Sequence, residues 1–273
     1  MNTLELLDFN LRKKSIRTRE RYTSIARIYL GFSGDMTGGD VSRTTMLRFM
    51  EWTESKGWSP NTRRLAHYVL AKLCKSLEKK FPLDADDLAT KPTREELRTP
   101  FLSMSELGRL ISHQKAIPSY GTALLFLASI WGLRSTELTN VEIGDGAIRV
   151  FLAKKRGTAR QPKIHLLPSG DGRFLDGYEW ASEGTVIAEY HKLCRAIGLK
   201  SSYGAWHMVR RTLDTALHLA GVNPEIISRY IGWQQGNSFG VSPMVSRYFH
   251  MTDEDVDKET YKLHPVLPLW GIK

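Results

Sequence analysis

Apolar positions in the first eighty residues recur at three- and four-residue steps. Between Thr18 and Leu30, Tyr22, Ile25, Ala26 and Tyr29 form one stripe with Arg19, Arg21 and Arg27 outside it, so the spacing predicts an amphipathic helix. A second helix is predicted from about Ser42 to Lys56, with Met46, Leu47, Phe49 and Met50 facing inward. Ser59-Pro60 supplies an N-cap and a helix-ready first residue for a third, in which Leu65, Val69, Leu73 and Leu77 repeat every four. Three or four such helices make a compact all-α unit. From Phe81 to Pro100 the period is lost and Pro82, Pro92 and Pro100 gather among mixed charges, the composition of an exposed connector. The expected division is therefore a helical unit over 1–85, a linker over 86–100 and a second domain over 101–273.

The second domain opens on Ser103-Met-Ser-Glu106, a capping-box pattern, and its long apolar stretch Ala123 to Trp131 predicts a buried helix ended by Gly132. Leu133 to Leu138 begins another helical turn, which places Arg134 and Glu137 at i and i+3, where the carboxylate can fix the guanidinium. Residues 147–153 and 163–167 are β-prone and flank the turn Lys154-Lys-Arg-Gly-Thr-Ala-Arg160, a hairpin with a basic tip. Trp206 opens a helix that continues through Leu217 and stops before Gly221, so His207 and Arg210 share one turn. A glycine turn and a short helix ending at Gly232 follow, with Trp233 just beyond. By position alone these parts also fit a helix-turn-helix reader. Ser242-Pro243 then caps a further helix carrying Tyr248. The fold class expected is mainly α with a small antiparallel β-sheet.

Charge narrows the partners. Lys plus Arg number 39 against 29 acids, a formal +10 with a pI near 9.6, which favours a polyanion and also suits a membrane surface. Residues 1–80 hold 16 Lys/Arg against 8 Asp/Glu, a net +8, so most of the excess lies at the front and reads as a cationic clamp. Cys74 and Cys194 lack any Cys-x-x-Cys spacing and are expected as reduced, buried thiols. Met1 to Asn10 has no basic leader region and Gly121 to Leu133 is too short to span a bilayer, so an intracellular, soluble protein is expected.

Arg134, Lys154, His207, Arg210, Trp233 and Tyr248 occur in that order. Cationic and hydrogen-bonding groups around one tyrosine are what a metal-free attack on a phosphodiester requires: a nucleophile, charge on the non-bridging oxygens and an acid for the departing alcohol. A planar guanidinium fork matches phosphate geometry where lysine offers a point charge, whereas a lysine with rotatable donors suits proton delivery. Taken singly, each of these residues is also an ordinary ion pair, loop lysine or packed aromatic.

Together the segments resemble the tyrosine recombinase (phage integrase) family. Gly132-Leu-Arg134-Ser-Thr-Glu137-Leu is similar to its first arginine motif, the Lys154 hairpin to its β-hairpin lysine, His207-Met-Val-Arg210 to its His-x-x-Arg motif, and Arg247-Tyr248-Phe-His250 to its nucleophile motif. Leu102-Ser-Met-Ser-Glu106-Leu resembles the usual start of its catalytic domain. The resemblance implies a helical core-binding domain followed by a catalytic domain. Tyr248 would form a 3′-phosphotyrosyl link, Arg134 and Arg210 would clamp the phosphate, and Lys154 would be the general acid. His207 would assist, Trp233 would fill a position that is histidine in most members, and Glu137 would support the arginines. Because the covalent link conserves the bond energy, no cofactor or metal is implied.

Three departures from the family pattern are visible. Arg211 stands where many relatives have histidine. The gap from Trp233 to Tyr248 is longer than usual, which keeps Tyr261 in reserve, and Lys155 competes with Lys154. The partners implied are double-stranded DNA and further copies of the chain, as a tetramer in synapsis, with room for accessory DNA-bending proteins and no membrane. A nucleoid-associated, cytoplasmic enzyme of bacterial, archaeal or viral origin is expected. A telomere resolvase, a type IB topoisomerase and a non-catalytic DNA-binding protein are the alternatives. In relatives a tail like Thr252 to Lys273 docks on a neighbouring protomer, so Leu269 and Trp270 are read either as such a patch or as packing on their own domain.

Overall fold

The computed structural model describes residues 2–34, 41–87, 101–144, 146–151, 162–170, 172–199, 205–232 and 251–273. The chain divides into two compact units, Met1–Arg98 and Thr99–Lys273, each with its own apolar core. Among the described residues no helix is long and apolar enough to cross a membrane.

Among the described residues, four helices build the first unit: α1 (Thr3–Asn10), α2 (Ile16–Ser33), α3 (Arg43–Ser55) and α4 (Pro60–Ser76). Each starts where a side-chain oxygen takes a backbone N–H of its first turn: Asn2, Ser15, Ser42 and Ser59 accept from Glu5, Thr18, Thr45 and Thr62. The predicted stripes face inward, with Ile25, Ala26 and Tyr29 of α2 meeting Met46 and Phe49 of α3 and Val69 and Leu73 of α4. α1 was not anticipated; its Asn2–Glu5 capping box was the available signal. Arg43 pairs with Asp84 and Asp87, which ties a 3-10 turn over Ala85–Asp87 to the start of α3.

In the second unit α5 (Met104–Gln114) begins on the Ser103–Glu106 capping box, and α6 (Tyr120–Trp131) is buried at every position from Gly121 to Trp131. A helix apolar all round is a buried one, and here α5, α7 (Glu183–Ala196) and α8 (Trp206–Leu219) pack around it. Beside them lies a three-stranded antiparallel sheet of β1 (Val141–Gly144), β2 (Ala147–Val150) and β3 (Lys163–Leu166), in that spatial order. Register pairs Val150 with Lys163 and Ile148 with His165. Among the described residues, α9 (Pro224–Tyr230), α10 (Asp253–Tyr261) and α11 (Leu267–Trp270) follow, with α10 packed against both α9 and β3. The sequence reading missed β1 and α7, although β1 carries the alternation Val141-Glu-Ile143 before a Gly-Asp-Gly turn and α7 carries a Ser182 cap. Both cysteines are free and buried.

Candidate active site

Gly132 ends α6 in a left-handed conformation, φ 63°, which an L side chain adopts only with strain. Space is tight as well: a Cβ there would lie 3.3 Å from the Ile231 side chain and 3.4 Å from that of Arg210, so these neighbours would have to give by a few tenths of an ångström. The chain then makes one tight turn, with Leu138 N–H donating to Arg134 O at 2.9 Å. Glu137, 1% exposed, closes this turn by accepting from the Arg134 backbone N–H at 2.9 Å, and its other oxygen takes the Arg134 guanidinium at 2.6 Å.

From α8, Arg210 reaches the same carboxylate, 3.7 Å from Glu137 Oε2. Its guanidinium is 1% exposed and donates to Gly132 O at 2.5 Å and to Ile231 O at 2.6 Å. Burial, then the like charge of Arg134, push its pKa down to about 9, with Glu137 and Asp214 opposing, so it stays charged at neutral pH. One carboxylate therefore holds two guanidinium groups from separate segments. Arg134 retains some solvent access, its side chain 17% exposed, and His207 is exposed on the first turn of α8, one turn before Arg210. Arg134 is thus the more accessible guanidinium, with Arg210 buried behind it on the same carboxylate, and a guanidinium so held suits a phosphate group.

The sequence matches no protein-family model, and no curated protein matches it. The fold does have counterparts among solved structures. A lambda integrase tetramer bound to a Holliday junction aligns over 87% of this chain and 78% of its own, with a TM-score of 0.65 at 16% identity. A lambda integrase (75-356) dimer bound to a COC′ core site aligns over 88% and 98%, with a TM-score of 0.64 at 16% identity. The XerH site-specific recombinase on palindromic difH substrate, a post-cleavage complex, aligns over 89% and 79%, with a TM-score of 0.58 at 14% identity. This chain has the tyrosine recombinase fold.

Of the residues the sequence suggests for a site, Arg134, His207 and Arg210 lie among the described residues. Lys154 with its alternative Lys155, Trp233, and Tyr248 with the helix expected around it lie outside the described residues. Tyr261, held in reserve as a nucleophile, is committed elsewhere: its hydroxyl accepts from Trp131 Nε1 at 2.9 Å and donates to Leu166 O. Burial first, then Asp257, push its pKa well above the ordinary tyrosine value, which disfavours the phenolate an attack needs. Within this chain the tail packs on its own domain: Trp270 is 2% exposed, donates to Ser129 Oγ at 3.0 Å and stands edge-on to Phe126. Leu269 is packed against the same core.

Sequence reasoning overlooked a buried polar layer under the three-stranded sheet. Asp257 of α10 accepts from the Leu166 N–H at 2.7 Å and from His165 Nδ1 at 2.8 Å. Burial, then the charge of Lys163, hold His165 below its usual pKa, so it is a neutral donor to the carboxylate. Lys163 points inward beside it and donates to Arg229 O and to Tyr230 O. Only the β2–β3 register reveals this layer, because the inward partners of Lys163 and His165 are Val150 and Ile148.

Proposed function

We propose that this chain is a site-specific DNA recombinase that cleaves and rejoins strands through a 3′-phosphotyrosyl intermediate. The observation that carries the reading is Glu137 holding Arg134 and Arg210 together, with His207 one turn from Arg210. Two fixed guanidinium groups stabilise the charge that grows on non-bridging oxygens as a phosphodiester becomes five-coordinate. The Tyr248 hydroxyl gives up its proton to solvent, with His207 assisting the transfer, as its oxygen attacks the phosphorus; the bond from phosphorus to the 5′ oxygen breaks, and that oxygen takes a proton from Lys154. A 5′ hydroxyl of the exchanging strand then attacks the phosphotyrosyl link and regenerates the phenol. His207 assists proton transfer and phosphate binding, and Trp233 donates its indole N–H.

Support also comes from the neighbours, which are site-specific recombinases and an integrase captured on DNA. Double-stranded DNA is the proposed substrate, and the tetramer on a Holliday junction makes assembly of four copies in synapsis the proposed working state. The helical first unit, with its net +8 over residues 1–80, is assigned to clamping the duplex.

A nicked duplex bearing the inverted repeats that flank the coding region tests the reading. Wild-type protein should trap a covalent adduct that Tyr248→Phe does not form. An adduct that persists in that variant refutes the assignment of the nucleophile, and no adduct from the wild type on any flanking repeat refutes the activity. Analysis of products, as exchanged duplexes, hairpin ends or relaxed circles, separates a recombinase from a telomere resolvase or topoisomerase.

A further inference from the structure

The last carbonyls of a helix have no helical N–H to accept from. At the end of α9 they are met by cations from two other elements. Lys163 Nζ of β3 donates to Arg229 O and, at 2.5 Å, to Tyr230 O, while Arg210 of α8 donates to the next carbonyl, Ile231 O, at 2.6 Å. Lys163 is 5% exposed on the inner face of the sheet, and its ammonium lies 5.8 Å from the Tyr230 ring centroid.

A positive charge at a helix C-terminus is favoured by the helix dipole, and an ammonium can serve two carbonyls at once. A lysine so deeply buried is otherwise unfavourable. Loss of solvent is the largest influence on its charge and opposes it; Asp257 and Asp253 of α10 favour the charge, and Arg210 and Arg229 oppose it. His165 on the same strand lies beside it and is turned to Asp257.

We propose that Lys163 is a positioning residue for the arginine pair: by holding the final turn of α9 against β3 it fixes the Ile231 carbonyl on which Arg210 is seated. Arg210 is located by three oxygens, those of Gly132, Ile231 and Glu137. The second is only as well placed as the α9 turn that carries it. The lysine thus ties the sheet, α9 and α8 into one frame around the guanidinium groups. This role rests on the phosphate-clamp reading of Arg210 given above.

Lys163→Met and Lys163→Gln, compared with the wild type on the nicked duplex, test it. With Met, the first-order rate of adduct formation at saturating DNA should fall about tenfold or more while duplex affinity stays within about twofold, since only the alignment of the clamp changes. Gln keeps an N–H donor and should recover part of the rate. Hydrogen exchange at the Ile231 and Gly232 amides, which donate to Ile227 O and Arg229 O, should accelerate about tenfold in the Met variant. A Met variant that forms adduct at the wild-type rate overturns the role, as does a loss of rate matched by an equal loss of affinity. If the wild type forms no adduct, the recombinase reading fails, and unchanged exchange at those two amides then overturns the role of Lys163 by itself. Should Met not fold, the Gln variant carries the same comparisons.

Discussion

Removing the charge of Glu137 by substitution with glutamine is the sharpest perturbation of the site. The carboxylate is 1% exposed, contacts Arg134 at 2.6 Å and lies 3.7 Å from Arg210, itself 1% exposed. Gross attraction between unit charges about 4 Å apart is roughly 4 kcal/mol at the effective dielectric that suits protein sites. Much of that is offset by desolvation, and breaking one side of a buried pair costs about 3–5 kcal/mol because the other charge is left uncompensated. Glutamine keeps an acceptor for the Arg134 N–H, and Arg134 is partly solvated, so the lower end, about 3 kcal/mol, is expected. For a domain the size of Thr99–Lys273 this lowers the melting temperature by about 6–12 °C.

Urea denaturation of wild type and Glu137→Gln measures the loss directly, and the adduct assay at saturating duplex measures its chemical consequence, a fall of about a hundredfold in rate. A variant within about 0.5 kcal/mol of the wild type refutes the reasoning, because two guanidinium groups facing each other without the carboxylate must then be tolerated at no cost. A destabilised variant with an undiminished rate at a temperature where it is fully folded refutes the link from the carboxylate to the chemistry.

Other perturbations separate packing from reaction. Tyr261→Phe removes a hydroxyl that bridges Trp131 Nε1 and Leu166 O, and should cost about 1–3 kcal/mol in denaturation while still forming the covalent adduct. In Gly177→Ala the new Cβ would lie 2.5 Å from the backbone carbon of Ser119, so a loss of about 1–3 kcal/mol is expected; an unchanged melting temperature would contradict that contact. His264 donates from Nε2 to Ile130 O and accepts the Val266 N–H at Nδ1, and burial holds its pKa down to about 4. Its folded value lies below the unfolded 6.5, so the unfolded state binds more protons between these limits and stability falls as pH drops from about 6.5 towards 4. Between pH 7 and pH 5 this one group should account for about 2 kcal/mol, and His264→Gln should flatten that part of the stability profile.

Much of the architecture was legible because local rules and tertiary packing agree. The serine caps of α4 and α5, the all-round apolar α6 and its glycine stop follow from spacing and cap chemistry alone. The Arg134–Glu137 and His207–Arg210 pairs were legible as i, i+3 neighbours. That Glu137 also serves Arg210 was not, since the two come from segments more than seventy positions apart and only folding brings them together. Lys163 and Asp257 were invisible for a related reason: a charged residue in sequence reads as solvated, and its burial is set by partners on other elements.

The burial of Arg210 decides how the two arginines can be tested. Its donors serve the carbonyls of Gly132 and Ile231, so Arg210→Ala removes charge-assisted bonds that join α6, α8 and the end of α9, and leaves the Glu137 carboxylate with less compensation. A loss of about 3–5 kcal/mol follows from those contacts whether or not the residue ever meets a phosphate. Inactivity of that variant would therefore say little about chemistry. Arg134 differs, because its turn is closed by backbone bonds and by Glu137, and its guanidinium is the more exposed of the two. Arg134→Ala should keep a folded protein, at a cost of about 1–3 kcal/mol, and still lose adduct formation by a factor of about a hundred or more. An Arg134→Ala protein that cleaves at the wild-type rate would remove the arginine pair from the reaction and leave it as a device that joins α6 to α8.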